Sequence, residues 1–193
     1  MRIISGISKG KRLCTLRGQA IRPTSDRVKE SIFNILGKEV DGRHVLDLFA
    51  GTGNVGIEAL SRGAAKAVFV EKDKSAIDLI KKNLSRCGFD DRSHIITGEV
   101  ERTIRLLHRK GEVFDFIFMD PPYRRGLVQQ TLGILQAQPL HREDSILVIE
   151  HDRREPLSES MEEWALLRKR RFGDTVVSFI APSGKRFFKD TEP

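Results

Sequence analysis

Residues 45–60 constrain this 193-residue chain more than any other stretch. Val45, Leu46, Leu48 and Phe49 form a short apolar run of the kind that fills the middle of a parallel sheet. Gly51, Gly53 and Gly56 then fall in the spacing G-x-G-x-x-G, and Ile57, Ala59 and Leu60 open a helix. The first glycine of such a turn bends the chain, and the second lets backbone approach a ligand. The third lets helix and strand pack closely.

The next strand sharpens this reading. Ala67, Val68, Phe69 and Val70 lead into Glu71, twenty residues after Gly51. An acid at that place accepts hydrogen bonds from ribose hydroxyls, so strand, turn, helix, strand and acid read as the first βαβ unit of a nucleoside-binding sheet. Asp47 stands four residues before Gly51. A carboxylate there repels a diphosphate but suits the ammonium of an amino acid. S-adenosylmethionine carries that ammonium and no phosphate. The chemistry favours it over a dinucleotide.

Along the rest of the chain, apolar spacing alternates between the two periods. Residues 1–20 read as a small β element, with Ile3, Ile4, Ile7, Leu13 and Leu16 around a glycine-containing turn. A helix follows with Val28, Ile32, Ile35 and Leu36 on one face. Helices are expected over 54–62, from Asp73 to Gly88, around Val100, Ile104 and Leu107, and over 127–136. Strands are expected at 67–71, 94–97, 113–119 and 146–150. Residues 164–171 and 175–180, joined by Gly173 and Asp174, read as a closing antiparallel hairpin. The class is α/β: a doubly wound, Rossmann-like, mostly parallel sheet with a small N-terminal extension.

The formal charge of +7 is unevenly spread. Residues 1–30 hold eight basic side chains against two acidic ones, a net of +6, and Arg168, Lys169, Arg170 and Arg171 form a second cluster. Two basic clusters flanking a nucleoside-binding core favour a polyanion partner, nucleic acid, over a merely solubilising surface. No apolar run reaches the ~18 residues of a membrane span. The N-terminus lacks the apolar core of a signal peptide. Cys14 and Cys87 show no metal-ligand spacing, so no metal is expected and a cytoplasmic location is.

Asp47, Glu71, Glu99 and Asp120 each end a core strand, where open α/β sheets bind their ligands. The last of them opens Asp120-Pro121-Pro122-Tyr123, the most specific feature of the chain. Two prolines after a buried strand stop it and fix an extended backbone. The Asp120 carboxylate and the Pro121 carbonyl are both acceptors, and an exocyclic amine with two N–H groups is their natural partner. Tyr123 offers a flat face on which a base can stack, worth ~1–3 kcal/mol.

These motifs, in this order, resemble those of S-adenosylmethionine-dependent methyltransferases that act on exocyclic nitrogens of nucleobases. Arg2-Ile3-Ile4-Ser5-Gly6, the block from Arg22 through Asn34, Glu58-Ala59-Leu60-Ser61-Arg62-Gly63-Ala64 and residues 120–127 are similar to the bacterial 16S ribosomal RNA guanine-N2 methyltransferases. Glu99 stands where many members carry Asp, and Gly51-Thr52-Gly53-Asn54 replaces a more common Gly-Ser-Gly-Ala.

The resemblance implies methyl transfer to guanine N2 of 16S rRNA, free or in a small-subunit particle, by a monomer that uses S-adenosylmethionine. It divides the chain into a basic β-hairpin and helix extension, 1–42, and a methyltransferase domain, 43–193. Catalysis falls to Asp120, Pro121, Pro122 and Tyr123. Cofactor contacts fall to Asp47, Phe49, Gly51, Gly53, Asn54, Glu71, Lys72, Glu99 and Asp120. RNA contacts fall to Lys9, Lys11, Arg12, Arg22, Arg27, Arg124 and Arg125. The motif alone fits adenine N6, and DNA, equally well. An NAD-dependent dehydrogenase would leave the Asp-Pro-Pro-Tyr segment unexplained, and a non-catalytic assembly factor would have no use for Asp120.

Overall fold

The apolar run before the glycine turn becomes β1 (His44–Asp47), an interior strand of a seven-stranded sheet. The computed structural model describes residues 1–15, 25–157 and 163–183. Beside β1 run β2 (Lys66–Glu71), β3 (Ser93–Thr97), β4 (Phe114–Met119) and β5 (His141–Asp152), with parallel pairing throughout. The hairpin of β6 (Trp164–Phe172) and β7 (Thr175–Pro182) closes one edge, with β7 antiparallel to both β5 and β6. The order is β3-β2-β1-β4-β5-β7-β6, the doubly wound sheet with a closing hairpin that the sequence predicts.

Neighbouring strand residues serve opposite faces. Val45, Phe69, Phe116, Phe118, Val148 and Phe179 pack under α1 (Asp26–Leu36), α2 (Asn54–Ser61) and α3 (Lys74–Cys87). Leu46, Val68, Ile117, Leu147 and Ile180 pack under α4 (Val100–Arg109) and α5 (Leu127–Ala137). Both faces are covered, which is why the strands read as continuous apolar runs rather than alternating ones. Each fully buried Phe, Leu or Ile contributes ~1.5–3 kcal/mol. The helix starts have local causes: Ser25 accepts from the Val28 amide at 3.2 Å, and Asp73 accepts from the Ala76 amide at 2.9 Å.

Two segments differ from the sequence reading. Strand β5 begins at His141, not 146, because Phe114 pairs with His141 across a bulge and the Ser145 hydroxyl donates to the Phe114 carbonyl at 2.7 Å. That pairing uses backbone and polar groups, which leave no apolar pattern. Among the described residues, the N-terminal β element is a turn with a single bridge, Arg2 to Arg12. Ile3 and Leu13 are buried, whereas Ile7 is 77% exposed. The Ile7 amide donates to the Ser61 carbonyl at 2.8 Å, so at Ile7 it is the backbone that docks on the body. Leu16 lies outside the described residues.

The order of the sheet reverses between β1 and β4. Beyond the carboxyl ends of these two strands lies the crevice where open α/β sheets bind ligands.

Candidate active site

The glycine turn follows β1 directly. Gly53 caps α2 with φ +76°, a left-handed conformation that a side chain disfavours. Gly56 answers a different need: a Cβ there would lie 2.3 Å from the Phe69 ring on β2. This glycine lets α2 lie on the sheet, the close-packing role expected of the third glycine.

A cavity of about 960 Å³ opens at the switch point. That is near the upper end of the ~300–1,000 Å³ of small-molecule sites, with room for more than a nucleoside. Of the residues expected at a cofactor, Phe49, Gly51, Glu71, Lys72, Glu99 and Asp120 lie on its wall. Glu71 takes the Gly51 amide on one oxygen at 2.8 Å and the amides of Lys72 and Asp73 on the other, at 2.8 and 2.9 Å. Three of its roughly four acceptor sites are engaged, leaving about one for a ligand hydroxyl. The acid thus ties the glycine turn to the end of β2. Lys72 and Glu99 pair at 3.1 Å, both well exposed, a contact worth little stability.

Asp47, Gly53 and Asn54 are not on the wall. Asp47 is 4% exposed and accepts from the Gly56 amide at 3.1 Å, beneath the first turn of α2. Burial pushes its carboxyl up to about 7, with the Gly56 bond opposing and the Glu71 charge adding. A raised carboxyl pKa means that the native state holds the proton more tightly than the unfolded chain. The resulting stability is complete below an ordinary value near 3.8 and is lost as pH rises through about 7. Asp47→Asn keeps an acceptor for Gly56 and removes the titration. Relative to wild type, the variant should gain a few kcal/mol between about pH 4 and pH 8, since each pH unit between the two values is worth ~1.4 kcal/mol. Thermal melts of the ligand-free protein across that range check this. A constant difference in Tm would contradict it.

The segment after β4 forms the opposite wall. Asp120, Pro121, Pro122 and Tyr123 all line the cavity, as does Arg125. Arg124, in contrast, is turned to Asp152, with both Nε and a terminal guanidinium nitrogen 3.2 Å from one carboxylate oxygen. Its φ is +60°, and its amide and that of Gly126 both donate to Glu155. Sequence reasoning missed Arg102, at the start of α4, and Gln130 and Thr131 of α5, which also line the wall. Arg102 and Gln130 are exposed polar positions on helices, with no signal that separates them from solvated surface, and Thr131 is buried like its apolar helix neighbours.

The family described as "Conserved hypothetical protein 95" matches residues 1–181. The chain belongs to that family. It is 39% identical over 95% of its length to the whole of a Bacillus subtilis protein, YlbH, provisionally named an rRNA methyltransferase. It is 32% identical to the Escherichia coli ribosomal RNA small subunit methyltransferase D, over 91% of this chain and 87% of that protein. An Escherichia coli structure, yhhF, provisionally described as a methyltransferase, superposes with a TM-score of 0.84 at 30% identity, covering 96% and 99% of the two chains.

In this family member the N-terminal residues pack behind the glycine turn. The Asn83 side chain donates to the carbonyls of Cys14 and Thr52 and accepts from the Cys14 amide, at 3.1, 3.0 and 2.7 Å. Lys29, counted with the basic cluster in the sequence, is fully buried. Its ammonium donates to Asn54 at 2.6 Å and to the Arg2 carbonyl at 2.7 Å, and pairs with Glu58 at 3.3 Å. Lys11 is tied to the carbonyls of Arg86 and Cys87 at the end of α3, at 3.3 and 3.4 Å. Lys9, Arg12 and Arg27 are not buried, and Arg22 lies outside the described residues. Arg27 shares a groove with Arg170 of β6, bringing the two basic clusters of the sequence together. Among the described residues, no helix is long and apolar enough to cross a membrane.

Proposed function

We propose that this protein transfers a methyl group from S-adenosylmethionine to the exocyclic N2 of a guanine in 16S rRNA. At the coarser level it is an rRNA methyltransferase, as relatives of its family are named. One observation supports transfer to an exocyclic amine: Asp120, Pro121 and Tyr123 share a cavity with Gly51 and Glu71. The choice of guanine N2 over adenine N6 is supported by the sequence resemblance.

The residues present fit the cofactor. A Cβ added at Gly51 would meet nothing within 4 Å, so backbone there is open to a ligand. Glu71 keeps an acceptor for a ribose hydroxyl, and Phe49, Val100 and Ile134 offer apolar surface to a base. When bound, S-adenosylmethionine supplies an electrophilic methyl group on a positively charged sulfur.

The remaining work belongs to the chain. A guanine amine is conjugated with its ring and is a poor nucleophile. Accepting its two N–H bonds on the Asp120 carboxylate and the Pro121 carbonyl favours a pyramidal nitrogen and aims its lone pair. The same carboxylate stabilises positive charge as it develops on that nitrogen and receives the proton. Tyr123 stacks on the base, which must leave its helix to reach the cavity.

Residues 1–42 form the RNA-facing extension of a monomer in this reading, with Lys9, Arg12, Arg27 and the β6 cluster as phosphate contacts and Arg125 at the base site. Lys9→Ala together with Arg12→Ala should weaken RNA binding and flatten the slope of log affinity against log salt by about 1.4–1.8, at ~0.7–0.9 per contact. S-adenosylmethionine affinity should not change. Binding titrations over a salt series check this, and coincident lines for wild type and variant would contradict it.

The function itself is tested with purified protein, labelled S-adenosylmethionine and either 16S rRNA or small-subunit particles. Digestion to nucleosides should place the label in N2-methylguanosine. Label in N6-methyladenosine would move the assignment to adenine, and RNA binding without transfer would make the protein a non-catalytic factor.

A further inference from the structure

Tyr123 is the single tyrosine of the chain, and both ends of it are committed. Its ring lines the cavity beside Asp120. Its hydroxyl donates to Glu150 at 2.9 Å and lies 3.3 Å from the Thr175 hydroxyl. Glu150, near the end of β5, is 8% exposed, and Thr175, the first residue of β7, is 7% exposed. A carboxylate this buried is costly unless donors satisfy it, and the phenol is one such donor. A ring held only by apolar contacts can swing, whereas a ring tied at its tip to two sheet strands keeps its plane.

The surrounding loop is anchored to the same place. Arg124 and Gly126 are held by Asp152 and Glu155, which follow Glu150. Asp152 pairs in the sheet with Thr175, and Asp174 of the hairpin turn pairs with Arg153 at 2.7 Å.

We propose that Glu150, assisted by Thr175, is a positioning residue: it fixes the ring of Tyr123 and so sets the plane on which the target base stacks. This rests on the base-methylating reading above. It gives the buried end of β5 and the closing hairpin a part in the reaction without either touching the cavity. Misplacing a reacting group by ~1 Å costs ~100-fold in rate, so a loose platform is expensive.

The charged groups facing the phenol are Glu150 from β5 and Asp120 from the end of β4. With burial as the larger cause, they hold its pKa above the ordinary tyrosine range. Because no second tyrosine is present, phenolate absorbance during alkaline titration reports Tyr123 alone. Wild type should ionise above the usual ~10, and Glu150→Gln should bring the transition down by removing the repelling charge while keeping an acceptor. An unchanged titration in Glu150→Gln would overturn the contact.

Steady-state methylation supplies the second readout. Glu150→Ala should raise KM for RNA about tenfold with S-adenosylmethionine binding unchanged, and Glu150→Gln should recover most of the loss. In a Tyr123→Phe background, Glu150→Ala should add little, because its effect runs through the hydroxyl. Full additivity of the two losses would overturn the positioning role. A wild type that methylates no RNA removes the functional reading and the base-stacking role with it, while the titration still decides the Glu150–Tyr123 contact.

Discussion

Replacing Asp120 by alanine should lower single-turnover methyl transfer by about 10²–10³-fold while leaving S-adenosylmethionine affinity within a few fold. The carboxylate lines the cavity at the end of β4, where Pro121 and Pro122 prevent the strand from continuing. In the proposed reaction it holds an amine and stabilises the positive charge that develops there. Losing one preorganised electrostatic contact of this kind costs ~2.7–4 kcal/mol of barrier. Asp120→Asn keeps one acceptor but not the charge, so it should fall between alanine and wild type. Quench-flow or filter-binding assays with saturating RNA separate chemistry from binding. Near-normal transfer by Asp120→Ala would show that the amine is held by other groups.

The largest expected effect on stability comes from the opposite side of α2. Glu58 is fully buried and accepts from Lys29, from Arg62 at 2.8 Å, and from the amides of Ile4 and Ser5 at 2.8 and 3.0 Å. Burial lowers the pKa of Lys29, and the Glu58 charge opposes that fall. Glu58→Ala strands the Lys29 ammonium, frees Arg62 and leaves two amides without their acceptor. Breaking one partner of such a pair costs ~3–5 kcal/mol. For a chain of this size, that is on the order of a 10 °C fall in Tm. Glu58→Ala combined with Lys29→Met should lose less than Glu58→Ala alone, since the unpaired charge is gone. Melting curves of Glu58→Ala, Lys29→Met and the double variant decide this. A double variant as unstable as the sum of its parts would mean that Lys29 and Glu58 do not act as a pair.

The fold was legible because each core strand is covered on both faces and each turn has a chemical marker. Val45 to Phe49, Gly53, Gly56, Asp73 and the Pro121-Pro122 pair all mark boundaries by sterics or hydrogen bonding that a linear reading can follow. What escaped was long-range satisfaction of polar groups. Asp47 reads as a rim acid, yet its carboxylate meets the Gly56 amide nine residues on. Lys29 reads as one charge in a basic cluster, yet its partners are Asn54 and Glu58. Arg124 sits beside Arg125 in sequence, but only Arg125 faces the cavity, because Asp152 claims its neighbour. Glu150 reads as an acid ending a strand, and nothing local announces the Tyr123 hydroxyl 27 residues away. In each case the deciding partner comes from a different element, and no periodicity encodes it.

On the proposed function, the amine held by Asp120 and Pro121 is a guanine N2 of the small-subunit RNA. Mass mapping of modified nucleosides in ribosomal RNA, from cells with and without this protein, tests that assignment in the fewest steps. One N2-methylguanosine should vanish from the 16S RNA when the protein is absent and return with the wild-type chain but not with Asp120→Ala. An unchanged set of modifications, or loss of an N6-methyladenosine in its place, would contradict it.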